Sequence, residues 1–150
     1  MRPAIRPATG ADLDALVALD KVCFGDSAWS ASAWDDEFAR LATDRVVLVA
    51  DEGEVVGYVV LLVPPVVEDP VDLLRIAVSP AERRTGIGGQ LMTAALQRCA
   101  GRTVLLEVAA GNEGAGALYR GYGFEEISRR RGYYAGGEEA LIMQWQEKAL

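Results

Sequence analysis

"SPAERRTGIGGQL", residues 79–91, sets three glycines and two arginines between an apolar run and a segment of helical periodicity. The run before it, "DLLRIAVS", has the length and apolar content of a strand. From Gly86 to Cys99, Ile87, Leu91, Ala95 and Leu96 share one side, which predicts a helix. "TVLLEVAA", 103–110, is strand-like again. Strand, helix and strand in this order predict a right-handed parallel crossover over residues 72–109. A helix N-terminus carries unpaired N–H groups and partial positive charge. Gly86, Gly88 and Gly89 leave those amides open to close approach, and Arg83 and Arg84 add formal charge beside them. The stretch is therefore either an anion site or a glycine-rich turn with solvated arginines. Two familiar phosphate motifs fail here. Leu91 stands where GxGxxG needs its third glycine, and no Lys-Ser or Lys-Thr follows as in a P-loop.

Working outward, "IRPA" at 5–8 reads as a short strand. Thr9 offers an N-cap to a helix carrying Leu13, Leu16, Val17 and Phe24. Ser30 caps a second helix, with Trp34, Phe38 and Leu41 at i, i+4 and i+7. "RVVLVADEGEVVGYVVLLV", 45–63, is two β-branched runs around "DEGE", an antiparallel hairpin. Beyond the crossover, Asn112 caps a helix that Gly123 ends. Strand-like runs follow at 124–131 and 139–146. The order is β-α-α-β-β-β-α-β-α-β-β. It predicts an α/β (α+β) fold with a mixed, mostly antiparallel sheet of about seven strands and about four helices. A chain of 150 residues is expected to form a single domain, 1–150.

Composition narrows the chemistry. The chain has no histidine. Histidine triads, His-ligated zinc and imidazole bases are excluded, so acid–base work falls to Glu, Asp, Tyr, Lys, Cys or water. Cys23 and Cys99 lack metal-type spacing and read as reduced thiols of a cytosolic protein, with no metal expected. The net charge of −7 argues against nucleic acid as a direct partner. It suits a basic peptide or amine, and equally serves ordinary solubility. The run Val55–Val67 is broken by Gly57, Pro64 and Pro65, too short to cross a bilayer. "MRPAIRPATG" lacks the apolar block of a signal peptide, so the expected location is the cytoplasm.

Arg83-x-x-Gly86-x-Gly88, behind "RIAVSP", resembles the pyrophosphate-binding signature of the GCN-five-related N-acetyltransferases (GNAT). The order of elements fits that family along nearly the whole chain. The resemblance implies that Arg83, Arg84, Thr85, Gly86, Ile87, Gly88 and Gly89 hold the pyrophosphate of acetyl-CoA. It further implies that Ile76, Ala77 and Val78 pair with the pantetheine arm. Asn112-x-x-Ala115-x-x-Leu118-Tyr119-x-x-x-Gly123-Phe124 is similar to the family's fourth-helix signature. By that resemblance Asn112, Leu118 and Tyr119 lie along the cofactor, with the Tyr119 hydroxyl near its sulfur. On residue pattern alone, Tyr119 also reads as an amphipathic core residue.

Glu107 is a lone acid between Leu106 and Val108. A carboxylate in an apolar strand is paired, wetted or functional, and pattern alone leaves all three open. "LLEV…N…ALY…GF…RRGYY…ALIM" resembles the RimI-type ribosomal-protein-alanine N-acetyltransferases. This resemblance implies Glu107 as general base, Tyr119 as general acid, and Arg130, Arg131, Tyr133 and Tyr134 near the acceptor. "CFGDSAWSASAWDDEF" is similar to their acceptor-side loop and second helix, placing Trp29 there, although Trp29 and Trp34 also read as packing residues. The implied acceptor is the N-terminal alanine of a small-subunit ribosomal protein. Ala109 departs from the arginine common in that group and weakens the acceptor assignment. Arg129–Arg131 can also form a solvated strand face or meet the cofactor's 3′-phosphate. Two alternatives stand beside this reading: a GNAT enzyme for a small amine, lysine side chain or antibiotic, and a non-catalytic acetyl-CoA-binding module. Oligomeric state is open, with a monomer expected.

Overall fold

The computed structural model describes residues 3–83, 85–131 and 139–147. Seven strands form one sheet: β1 (Ala4–Pro7), β2 (Arg45–Asp51), β3 (Val55–Leu62), β4 (Val71–Val78), β5 (Thr103–Ala109), β6 (Glu125–Arg130) and β7 (Ala140–Gln146). Four α-helices accompany them: α1 (Leu13–Phe24), α2 (Ala31–Ala39), α3 (Ile87–Gln97) and α4 (Glu113–Gly121). The sheet order is β1-β2-β3-β4-β5-β7-β6. Neighbours are antiparallel except β4 and β5, the parallel pair expected of the crossover. The mixed, mostly antiparallel architecture is thus as the sequence predicts. Element ends are a residue or two shorter: α3 stops before Cys99, which is buried in the turn beyond it.

Two of the expected caps are made. Ser30 Oγ accepts from the Ala33 N–H at 3.0 Å, and Asn112 Oδ1 from the Ala115 N–H at 3.2 Å. Gly123, at φ +99°, takes the left-handed turn that ends α4. Thr9 differs in detail: it opens a 3-10 turn, Gly10–Asp12, that leads into α1. There the Asp12 carboxylate accepts from the Thr9 N–H at 2.8 Å.

The sheet separates two cores. On one side α3 and α4 cover Leu48, Val59, Leu61, Leu73, Leu106, Val108 and Met143. On the other, Leu16, Leu19 and Trp34 of α1 and α2 pack on Val47, Val49, Tyr58, Val60 and Ala77. Cover on both faces explains why β2 and β3 read as continuous apolar runs. The second core draws its strand residues from β2, β3 and β4 alone. β5 is accordingly buried on one face at Val104, Leu106 and Val108, and exposed at Glu107 on the other.

β4 carries a register shift. Val60 pairs with Arg75 but Leu61 with Leu73, leaving Leu74 as an extra residue. The shift exchanges faces. Val71 and Leu73 face α3 before it, Ile76 and Val78 after it, and Ala77 turns to the α1 side.

Candidate active site

The sheet opens between its two parallel strands. β4 and β5 pair only at Val71–Val104 and Asp72–Leu105, although both run several residues further. The Ser79 N–H donates to the Val56 carbonyl at 2.7 Å. In an antiparallel ladder this makes Gly57–Val78 and Val59–Ile76 the pairs that do not exchange hydrogen bonds. The N–H and C=O groups of Ile76 and Val78 therefore point away from β3, toward the opening. Among the described residues no strand pairs with β4 there. Ala77 between them directs its backbone groups to Tyr58 on β3. The Val78 carbonyl accepts from Cys23 Sγ–H at 3.5 Å and Arg83 Nε–H at 3.3 Å.

The glycine stretch lies at the same end. Gly86 holds φ +88° as the N-cap of α3, a conformation costly for any residue with a Cβ. The first helical bond runs from the Gln90 N–H to the Gly86 carbonyl at 3.0 Å. The N–H groups of Ile87, Gly88 and Gly89 thus have no partner within the helix. A Cβ on Gly89 would come within 2.4 Å of Tyr122 Oη, so the phenol lies against the first turn of α3. Thr85, Gly86, Gly89 and Tyr122 line one groove. Amides without a helical partner at a helix head, beside a strand edge that no described strand pairs, fit a diphosphate joined to an amide-bearing arm. Arg84 lies outside the described residues.

Glu107 and Tyr119 approach this opening from opposite sides. Leu106 and Val108 are buried beneath α3 and α4, so Glu107 projects from the other face. Arg130 Nη1 stands 3.5 Å from Glu107 Oε1. Asp72, Leu74, Leu105, Glu107, Arg130 and Ile142 line a cavity of about 450 Å³ on that side. Burial, and next the charge of Glu107, push the Asp72 carboxyl up. Tyr119 comes from α4 on the α3 side, its ring centroid 6.0 Å from that of Phe124. Burial pushes its phenol up, so it stays protonated well above neutral pH. A carboxylate can therefore take a proton on one side of the opening while a phenol donates a hydrogen bond on the other.

Residues 13–124 match the Acetyltransferase (GNAT) family. This chain belongs to that family. N-alpha-acetyltransferase RimI of Mycobacterium tuberculosis is 33% identical over 142 residues, 91% of this chain and 87% of that one. An uncharacterized protein of Mycobacterium leprae is 36% identical over 142 residues; the match covers 91% of this chain but spans only 38% of that longer protein. The crystal structure of the ribosomal-protein-S18-alanine N-acetyltransferase from Escherichia coli superposes with a TM-score of 0.84 at 27% identity. It covers 95% of this chain and 92% of its own. Membership and relatives support the N-acetyltransferase class expected from the sequence.

The remaining predicted residues of this GNAT chain fall in several places. Asn112 sits at the head of α4 with its side chain engaged as the cap. Leu118, 46% exposed, projects from the same helix. Arg131 is exposed after β6. Trp29 is half-buried, its ring 4.9 Å from that of Trp34. Tyr133 and Tyr134 lie outside the described residues. Among the described residues no helix is long and apolar enough to cross a membrane, and no three metal-ligating side chains gather. Sequence reading passed over Asp72 and Tyr122. Asp72 carried a signal, being a charge in the otherwise apolar run "VDLL". Tyr122 reads as one more aromatic of the helix end, and only its contact with Gly89 sets it apart.

Proposed function

We propose that this chain transfers an acetyl group from acetyl-CoA to the N-terminal α-amine of a protein, and that a ribosomal protein beginning with alanine, in the cytoplasm, is the acceptor. The observation that carries the reading is the parting of β4 and β5 beyond Asp72, with Glu107 on one side and Tyr119 on the other. Acetyl-CoA supplies the activated acyl group. The amides of Ile87, Gly88 and Gly89 hold its diphosphate, and the edge of β4 at Ile76 and Val78 receives its amide arm. The names of the relatives support the acceptor.

The chemistry asks little of each residue. An α-amine titrates near ~8, so a minority is neutral at pH 7 without help. Glu107 orients the amine and accepts, through water, the proton released as nitrogen attacks. The carbon–nitrogen bond forms and the carbon–sulfur bond breaks. An ordinary phenol near ~10 would protonate a thiolate near ~8.5 uphill by roughly 2 kcal/mol. Burial raises Tyr119 further, so it acts as a hydrogen-bond donor to sulfur and solvent supplies the proton. The Val78 N–H steadies negative charge on the acyl oxygen. Most of the rate comes from holding amine and thioester together. Asp72 and Glu107 in one cavity favour a cationic terminus.

The test is incubation with acetyl-CoA and a panel of Ala-initiated ribosomal peptides, other N-termini, lysine peptides, polyamines and aminoglycosides, read by mass spectrometry. Acetyl transfer to the alanine α-amine is expected. Transfer only to lysine, polyamine or aminoglycoside overturns the acceptor. Acetyl-CoA binding without transfer to any amine overturns the enzyme and leaves a binding module.

A further inference from the structure

Asp20 of α1 is fully buried, and its carboxylate gathers three donors. The Trp29 N–H reaches Oδ2 at 2.7 Å, while the Tyr58 hydroxyl and Arg75 Nε–H, at 2.8 Å, share Oδ1. Arg75 does more than neutralise this acid. Its Nη2 donates to the Ser27 carbonyl at 2.8 Å. Its guanidinium lies 3.8 Å from the centroid of the Phe24 ring and 4.7 Å from that of Trp29. One cation thus fastens the segment between α1 and α2 at the Ser27 carbonyl, at the Trp29 ring and, through Asp20, at the Trp29 amide. The segment needs such fastening. It starts at Gly25, at φ +55°, and holds only one short 3-10 turn, Gly25–Ser27.

Position gives this network its meaning. Arg75 lies just past the register shift of β4 and points to the α1 side of the sheet. Glu107, on the neighbouring strand, projects from that same side. The opposite face is closed by α3 and α4, so the face bearing Glu107 and its cavity is the one left open to an acceptor. The segment 25–29, fastened by Arg75 above β4, stands on the same face of the sheet as Glu107. We infer that this segment forms a wall of the acceptor's path and that Arg75 is a positioning residue that fixes it, through Asp20, Ser27 and Trp29, and thereby sets acceptor affinity. The inference rests on the proposed function only in reading the acceptor as entering on the Glu107 face.

The experiment compares wild type with Arg75→Met, Arg75→Lys and the pair Asp20→Asn/Arg75→Gln, which leaves no uncompensated charge if the single variants fail to fold. Acceptor KM, kcat, the Kd of acetyl-CoA and hydrogen exchange of residues 25–30 are measured. The expected result is faster exchange in that segment and an acceptor KM raised about tenfold, with kcat within about threefold and acetyl-CoA Kd within about twofold. Arg75→Lys should recover only part of the affinity, because an ammonium cannot reach Asp20 and Ser27 together while stacking on two rings. An active wild type with an acceptor KM unmoved in the variants overturns the inference. So does a parallel rise of acceptor KM and acetyl-CoA Kd, which would mark general damage. A wild type that transfers to no amine instead overturns the function on which the inference rests.

Discussion

Arg130 brings its guanidinium to 3.5 Å from the Glu107 carboxylate on the open face of β5. The pair is partly exposed, so its contribution to stability is small. Arg130→Gln should move Tm by less than about 2 °C while raising acceptor KM. Glu107→Gln should lower kcat about 100-fold and leave the KM for acetyl-CoA unchanged. Steady-state kinetics with both substrates varied checks the two together. Unaltered kcat in Glu107→Gln removes this residue from the proton path.

Tyr119 calls for a different signature. As a hydrogen-bond donor to the leaving sulfur it matters only as charge develops there, so Tyr119→Phe should lower kcat by roughly tenfold and raise acetyl-CoA KM far less. Because burial holds the phenol neutral, kcat should show no fall near pH 9 that the phenylalanine variant lacks. A pH–rate profile of both proteins decides it; a basic limb present only in the wild type would make Tyr119 a titrating acid.

Gly89 and Tyr122 give a prediction with two signs. Alanine normally stabilises a helix relative to glycine by about 0.5–1 kcal/mol. Here its Cβ would meet Tyr122 Oη at 2.4 Å, and a phenol ring yields poorly, so Gly89→Ala should lower stability by about 1–2 kcal/mol. In a Tyr122→Phe background the oxygen is gone, and the nearest ring carbon lies at 3.7 Å. There the same substitution should raise Tm. A thermal-melt double-mutant cycle measures the reversal, and a loss of Tm in both backgrounds would place the tyrosine elsewhere.

Local signals carried the sequence reading far. The caps Ser30 and Asn112, the turn at Gly123 and the crossover around the glycine stretch depend on residues close in the chain, and each is found. Strand alternation leaves the face of Glu107 open, because it says only that this residue opposes Leu106. Which face lies open depends on α1 and α2 ending their cover at β4. The Asp20–Arg75 contact joins residues 55 apart, and Arg75 reaches the α1 side only because of the extra residue at Leu74. No periodicity in one strand announces that shift. Chemistry-bearing pairs assembled by register, rather than by spacing, are what a single sequence conceals.

The N-terminal strand supplies a pH dependence. Arg6 grips Asp12 with two bonds, 2.8 and 2.9 Å, and reaches Asp51 at 3.1 Å, tying β1 to the start of α1 and to β2. That guanidinium holds the Asp12 carboxyl at about 2, below its ordinary 3.8, against the opposing effect of burial. A carboxyl depressed in the folded state contributes stability that is complete above its unfolded value and disappears as pH falls through its folded one. The window is therefore from about pH 4 down to about pH 2. Arg6 is 35% exposed, and solvent screening limits the contribution to about 1 kcal/mol. Asp12→Asn should lower Tm by roughly 2–4 °C at pH 7, with the difference shrinking toward zero near pH 2. Thermal melts of both proteins across that range check it; a gap of the same size at both ends would mean that Asp12 stabilises the fold by shape and not by charge.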